Sequence, residues 1–185
     1  MTDEKMHLEN LRQKYKPLPI RLLFIGESPP ANGTFFYKAD SNLYRYTRIA
    51  FMQAFGDALG CGDDFLGTFQ SLGCFLDDLC PTPLNRLTKQ ERKSYWERSV
   101  SNLAARIASA SPEEIIVVMK AIVPPVSKAI YLARVDLKNF YALPFPAQGH
   151  QKEYVKALRG ILVNGKSEIS NNPGSRVTAR PERRL

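Results

Sequence analysis

Three proline-containing segments hold the side chains best suited to chemistry: GESPPANGTFFY (26–37), DDLCPTPLNRL (77–87) and LPFPAQGH (143–150). Carboxylates accept hydrogen bonds from N–H groups, a serine hydroxyl becomes a nucleophile beside a base, and aromatic rings offer flat faces for stacking. Proline fixes the backbone φ angle, so loops that contain it lose less entropy when they become ordered. These segments are therefore either preorganised recognition loops or tight turns between packed elements.

The elements around these segments alternate between strand and helix patterns. Apolar runs predict strands over 21–26, 74–79, 113–120 and 139–145. Periodicity and cap signals predict helices over 41–59 and 88–110, from Pro124 onward, and over 150–163. Ser41 is a predicted cap, and Thr88 with Glu91 forms a predicted capping box.

This alternation predicts an α/β fold of three α/β/α layers around a central, mainly parallel four-stranded sheet. Each of the three proline-containing segments then follows the end of a strand. Ligands of such sheets bind at the loops beyond the carboxyl ends of the strands, so the segments occupy the position expected of a site.

Composition and charge narrow the class of protein. The chain has 185 residues, a net charge of +8 and no apolar stretch long enough for a membrane helix. We expect one domain over 1–163 that begins with a short surface helix, and a basic, flexible tail over 164–185. A basic body suits a polyanionic partner such as nucleic acid. The charged N-terminus does not resemble a signal peptide.

The three cysteines, Cys61, Cys74 and Cys80, have neither C-x-x-C spacing nor a nearby histidine cluster. We interpret them as small hydrophobic residues in or near the core, and we expect a cytoplasmic monomer without a disulfide framework, a metal or another cofactor.

Taken in order, the segments resemble the uracil-DNA glycosylase superfamily over about Arg21 to Val163. GESPPANGTFFYKADSNLYR occupies the place of the first motif and is most similar to the mismatch-specific (G:T/U) branch, through Gly33, Phe35, Phe36, Asn42, Tyr44 and Arg45. CFLDDLCPTP resembles the middle strand that supplies the base-reading side chain, commonly an asparagine. LPFPAQG resembles the second motif, usually His-Pro-Ser-Pro.

The resemblance implies a glycosylase-like fold that takes a damaged or mismatched base, uracil or a related one, out of DNA and hydrolyses its N-glycosidic bond. It implies that Asp77 or Asp78 faces the base edge, and since a strand alternates its faces, only one of the two can do so. The other residues implied to bind the base are Gly26, Pro29, Phe35, Phe36 and Tyr37, with Phe36 the first choice for stacking. The residues implied to contact DNA are Pro144, Phe145, Pro146, Gln148, His150 and Lys152, and a basic face of Arg45, Arg48, Lys128 and Arg134 extends them.

The sequence departs from the superfamily at both usual catalytic positions. Ser28 stands where the most active branch has the aspartate that assists the water, and Leu143 stands where it has the histidine that stabilises the departing base. Glu27 either orients a water or makes a structural hydrogen bond to loop amides, and His150 either reaches back to the site or lies on the surface. With Asp78, Glu27 and Ser28 are the candidate catalytic residues.

Two other functions stay open. One is a protein of the same fold that binds a nucleobase or distorted DNA without cleaving it. The other is an α/β hydrolase-like or small-nucleotide protein with Ser28 as nucleophile, which the absence of a G-x-S-x-G elbow disfavours. One branch of the superfamily holds an iron–sulfur cluster on four cysteines, and this chain has too few.

Overall fold

A computed structural model describes residues 3–56 and 64–169 of the chain. Its four strands are all parallel and form one sheet in the order β2-β1-β3-β4. They are β1 (Leu22–Gly26), β2 (Cys74–Asp78), β3 (Glu114–Val117) and β4 (Asn139–Ala142). Helices cover both faces, so the fold is the three-layer α/β/α arrangement that the alternating pattern predicts.

The helices follow the predicted order with one addition. They are α1 (Asp3–Lys14), α2 (Asn42–Phe55), α3 (Phe65–Ser71), α4 (Lys89–Ala110), α5 (Val123–Ala133) and α6 (Gln151–Ile169), with short 3₁₀ helices at Phe36–Lys38 and Lys120–Ile122. Helix α4 packs against α5, and α2 packs against α6. The sequence did not predict α3, because two turns of helix that include Gly67 are too short to show a period.

The predicted cap signals are confirmed. The Ser41 hydroxyl accepts a hydrogen bond from the Tyr44 amide at the start of α2. Thr88 and Glu91 form a complete capping box at the start of α4, and the first turn of α5 contains the predicted prolines. These caps can be predicted from the sequence because each cap residue hydrogen-bonds nearby amides that the helix itself leaves unpaired.

Two predicted helix ends differ from the structure. Helix α6 continues past Val163 to Ile169, so the first residues assigned to the tail are helical, and 170–185 lie outside the described residues. Helix α2 ends at Phe55, and the segment with Cys61 is not described. The predicted surface helix at the N-terminus is α1, and among its described side chains Arg12, in the last turn, is the exception because it is buried.

The order of the strands places a crevice beside β1. The chain runs from β1 to β2 on one side, and then crosses to β3 on the other side of β1. Ligands of open α/β sheets bind where the strand order reverses in this way, at the carboxyl ends. The segment GESPPANGTFFY leaves β1 at that point.

Described residues also bear on the predictions about cysteines and membranes. Cys74 and Cys80 are free thiols in the hydrophobic core, as the interpretation of them as small hydrophobic residues predicts. Over 3–56 and 64–169, no helix combines the length and the apolar character that a bilayer crossing needs.

The Tyr37 hydroxyl pairs backbone groups on the outer edge of β2. Its hydroxyl donates to the carbonyl oxygen of Leu76 (3.0 Å) and accepts from the Leu76 amide (2.7 Å). The side chain is buried among aromatic rings, and burial raises the pKa of Tyr37 well above its usual value, so the hydroxyl keeps its proton. One side chain thereby pairs both backbone groups that this edge strand leaves free at Leu76.

We expect Tyr37→Phe to lower the free energy of unfolding by about 1–3 kcal/mol, because it leaves a buried amide and carbonyl of Leu76 without partners. Urea denaturation measures this. The matched control is Tyr131→Phe, at a ring that is 82% exposed, where a change below about 0.5 kcal/mol is expected. Equal effects of the two substitutions would contradict a structural role for the Tyr37 hydroxyl.

Candidate functional site

The predicted loops enclose a cleft of about 910 Å³ at the carboxyl ends of the strands. This volume lies in the range of roughly 300–1,000 Å³ that small-molecule sites occupy. The predicted site residues that line it are Gly26, Glu27, Ser28, Pro29, Phe35, Phe36, Asp78, Pro144, Phe145, Gln148 and His150. The predicted residues that do not line it are Tyr37, Asp77, Pro146 and Lys152.

Asp77 and Asp78 share one buried arginine. The Arg12 guanidinium donates through Nη1 to Asp77 Oδ1 (2.5 Å) and through Nη2 to Asp78 Oδ2 (2.7 Å). Arg106 of α4 binds the second oxygen of Asp77 (2.7 Å) and the backbone carbonyl of Asp78 (2.6 Å). Both carboxylates are thus held by arginines from α1 and α4, and Asp77 Oδ1 also accepts a hydrogen bond from the Asp78 backbone amide (2.8 Å).

The two aspartates nevertheless differ in what they face. Asp77 lies on a second groove of about 710 Å³ between α1 and α4, whereas Asp78 lines both that groove and the strand-end cleft. Of the pair, Asp78 lines the cleft and Asp77 does not, although both carboxylates reach the same arginine and both line the groove.

Gly26 makes room for this carboxyl group. A Cβ atom at position 26 would lie 2.5 Å from Asp78 Oδ1. Asp78 has a short side chain and its other oxygen is fixed by Arg12, so it has little freedom to move away. A glycine at the end of β1 is therefore required by the neighbouring carboxylate.

Burial has the largest effect on the pKa of Asp78. Loss of hydration raises the pKa of Asp78 to about 6, and the positive charge of Arg12 opposes this rise. For Arg12, burial alone lowers the pKa, but Asp78 and Asp77 together raise it above its usual value. The guanidinium therefore stays charged, whereas burial raises the pKa of Asp78 to about 6.

Glu27 is bound by two residues of α4. Its carboxylate accepts three hydrogen bonds from Arg92, at 2.6–2.9 Å, and one from the Trp96 indole, at 2.9 Å. Glu27 thus makes structural hydrogen bonds, but its donors are side chains of α4 and not the loop amides of the predicted alternative. Glu27 lines the cleft, but these donors neutralise it and occupy both oxygens.

Neither Ser28 nor His150 has a catalytic partner among the described residues. The Ser28 hydroxyl accepts a long hydrogen bond from the Leu84 amide (3.3 Å). His150 is exposed and lies 3.1 Å from the Glu153 carboxylate. Leu143, at the usual histidine position, is buried, and its amide bonds the Val117 carbonyl. The arrangement does not support Ser28 as an activated nucleophile.

The aromatic residues of the first loop belong to the core. Phe36 is 3% exposed and packs against Tyr37, Tyr44 and Phe69, so it offers almost no surface on which a base could stack. Phe35 is equally buried. The prediction of Phe36 as the stacking residue therefore lacks support. The lining aromatic with an exposed ring is Phe145, which is 42% exposed.

The cations at the cleft differ from those predicted. Lys120 and Arg86 line it, and Lys120 pairs with Glu153 (3.3 Å). The predicted Lys152 is exposed and does not line the cleft. Arg45, Arg48, Lys128 and Arg134, predicted to extend a basic face, do not line the cleft.

Sequence reasoning missed the arginines that hold the carboxylates, although a signal for them exists. Along α4, Arg92 and Arg106 continue the 3- and 4-residue spacing of the buried Trp96 and Leu103. In α1, Arg12 follows Leu8 by four residues and lies on the same face. Arginines on the buried stripe of a helix indicate buried acidic partners.

The described residues contain no group of three or more histidine, cysteine or acidic side chains that could hold a metal. Scanned against protein-family models and against curated proteins, the chain matches none. The resemblance to uracil-DNA glycosylases therefore stays a prediction.

We expect the contribution of Asp78 to stability to fall as the pH rises. The folded-state pKa of about 6 exceeds the ordinary value of 3.8, so the folded protein holds this proton more tightly than the unfolded chain. The contribution is full below pH 3.8 and is lost as the pH rises through about 6. Urea denaturation across this range measures it, by comparison of the wild type with Asp78→Asn.

The control for this pH dependence is Glu97→Gln, which removes an exposed carboxylate that pairs with Lys128. Its stability profile should run parallel to that of the wild type between pH 4 and pH 7, whereas the Asp78→Asn profile should diverge. Parallel profiles for all three proteins would mean that Asp78 titrates normally.

Proposed function

We propose that the protein binds a single nucleobase extruded from DNA in the strand-end cleft and hydrolyses its N-glycosidic bond, as a DNA glycosylase does. The observation that carries the proposal is the position of Asp78. Its buried carboxyl group is fixed by Arg12 and lines the same cleft as the loops 26–37 and 143–150. The resemblance implies a base-reading side chain at this position, which in the structure is the carboxyl end of the edge strand β2.

Other features of the cleft support a nucleic-acid ligand. Phe145 offers an exposed ring at the edge formed by the 143–150 loop, where a wedge or a stacking residue would act. Lys120 and Arg86 supply positive charge for phosphates, and the chain as a whole carries +8. These residues arise from different loops, as expected of a site at the end of a sheet.

Of the two carboxylates that line the cleft, Glu27 and Asp78, we assign the role in hydrolysis to Asp78. The glycosidic bond breaks through a cationic, oxocarbenium-like sugar, which a nearby negative charge stabilises and which a positioned water then attacks. Glu27 is less suited to this role because Arg92 and Trp96 bind both of its oxygens.

The second candidate function is recognition of a base without cleavage. The engagement of Glu27 by α4 and the burial of Leu143 at the usual histidine position favour it. Both candidates require the same cleft, and they differ only in whether the bond is broken.

A single-turnover assay with excess protein on labelled oligonucleotides tests both candidates. The substrates carry U:A, U:G, T:G, hypoxanthine:T or single-stranded uracil, and each is incubated with EDTA and then treated with alkali. We expect base-specific scission that Asp78→Asn reduces by about 100-fold or more and that Glu97→Gln leaves unchanged. Phe36→Ala is unsuitable as a site variant, because Phe36 is in the core.

Scission that survives Asp78→Asn would contradict the catalytic role of Asp78. Binding without scission on every substrate would establish the second candidate. Neither binding nor scission would mean that the proposed function is wrong.

Lys120 should contribute a phosphate contact. We expect Lys120→Ala to weaken DNA binding for all sequences alike and to reduce the slope of log Kd against log salt by about 0.7–1. Fluorescence anisotropy over a salt series measures both. Lys128→Ala is the matched control, because Lys128 is similarly exposed (59% against 63%) and also pairs with one glutamate, but lies outside the cleft. Equal effects of the two substitutions would contradict a phosphate contact by Lys120.

A further inference from the structure

The arginine and lysine side chains that line the strand-end cleft differ in whether an acid already pairs with them. Arg92 donates three hydrogen bonds to Glu27, and Lys120 pairs with Glu153 at 3.3 Å. Arg86 also lines the cleft and is exposed, and no other described residue forms an ion pair or a hydrogen bond with its guanidinium. Among the described residues, Arg86 therefore brings an uncompensated positive charge to the cleft.

The backbone that carries Arg86 is held in place. Its turn is closed by a hydrogen bond from the Leu87 amide to the Leu84 carbonyl (3.0 Å), with Asn85 and Arg86 as the central residues. The Asn85 side chain accepts a hydrogen bond from the Ala31 amide (3.2 Å), which ties the turn to the loop after β1. Arg86 therefore extends from a fixed point in the wall of the cleft.

Hydrolysis of an N-glycosidic bond places negative charge on the departing base. When the bond between the sugar carbon and the base nitrogen breaks, both of its electrons go to the base, and the sugar becomes a cation. Water then adds to the sugar and loses one proton, and the base anion takes up one proton, so the reaction balances. A cation positioned at the base lowers the barrier, because it binds the developing anion more tightly than the neutral substrate.

We propose that Arg86 contacts the departing base and stabilises its negative charge. The inference rests on the proposed function and adds a catalytic residue to the same cleft. A guanidinium suits this role because it stays charged at neutral pH and its planar fork donates to two acceptors at once, such as the ring nitrogen and carbonyl oxygen of a pyrimidine anion. Arg92 and Lys120 are less suited, because a glutamate already neutralises each of them.

The test compares two leaving groups in single-turnover cleavage at saturating protein, on duplexes that carry either U:G or 5-fluorouracil:G. Fluorine withdraws electrons, so the 5-fluorouracil anion needs less stabilisation from the protein. We expect Arg86→Gln to reduce the saturating rate by about 100-fold on uracil and by only about tenfold on 5-fluorouracil. Arg86→Lys, which keeps the charge but not the fork, should retain more activity than Arg86→Gln.

The matched control is Arg98→Gln on α4, which removes an exposed arginine that does not line the cleft and should leave both rates unchanged. A folding defect in Arg86→Gln would slow both bases by the same factor, so the ratio of the two losses isolates the effect on the leaving group. A phosphate contact would instead raise the protein concentration needed for half-saturation and leave the saturating rates unchanged.

Equal losses on uracil and 5-fluorouracil would overturn the inference, and so would a change confined to the half-saturating concentration. Both results would leave the proposed function standing. No scission of either base by the wild-type protein would also overturn the inference. If the glycosylase panel then showed neither binding nor scission, the proposed function would be overturned with it.

Discussion

The buried contact between Arg12 and the two aspartates of β2 is the constraint on which the cleft depends. Asp77 and Asp78 are adjacent carboxylates at the end of a strand, less than a tenth exposed, and two unpaired negative charges there would cost several kcal/mol in lost hydration. Arg12 binds one oxygen of each, and Arg106 binds Asp77 from the other side. Such a cluster is weak evidence for net stability, because its attraction largely offsets the cost of burying the charges. What it provides is orientation: it joins α1 and α4 to the sheet and holds the Asp78 carboxyl group in one position at the cleft.

Hydrogen bonds between protein groups also explain why the cleft contains few free polar groups. Glu27 is bound by Arg92 and Trp96, the Ser28 hydroxyl receives the Leu84 amide, and both groups hold the first loop in place. Prolines within the loop reinforce this rigidity. A carboxylate whose two oxygens are both hydrogen-bonded to an arginine is a poor base, so these contacts reduce the reactivity of Glu27. Asp78 differs because its partner Arg12 does not line the cleft. The chemistry of the cleft therefore depends on Asp78 to a greater degree than the three motif-like loops suggest.

The fold could be predicted almost completely from the sequence, and the site only in part, for a physical reason. Strands, caps and the position of the loops follow from local patterns, since apolar runs and cap residues act within a few positions along the chain. The loops that line the cleft were predicted for the same reason. The roles of individual side chains depend on contacts distant in sequence. Arg12 meets Asp78 across 66 positions, and Arg92 meets Glu27 across 65. Phe36 is an aromatic residue in a loop by its sequence, and only its packing against Phe69 shows that it belongs to the core.

The presence of Asp78 and the burial of Arg12 are best understood as one feature. An asparagine at position 78 would need no cation, because a neutral amide is buried at far lower cost than a carboxylate. An aspartate at position 78 needs a positive partner, and that partner has to approach from behind if one oxygen is to stay free. Helix α1 supplies it at Arg12, which lines the α1–α4 groove and not the cleft. Because Asp77 binds the same guanidinium, one buried arginine balances both carboxylates, and the Asp78 side chain still lines the cleft.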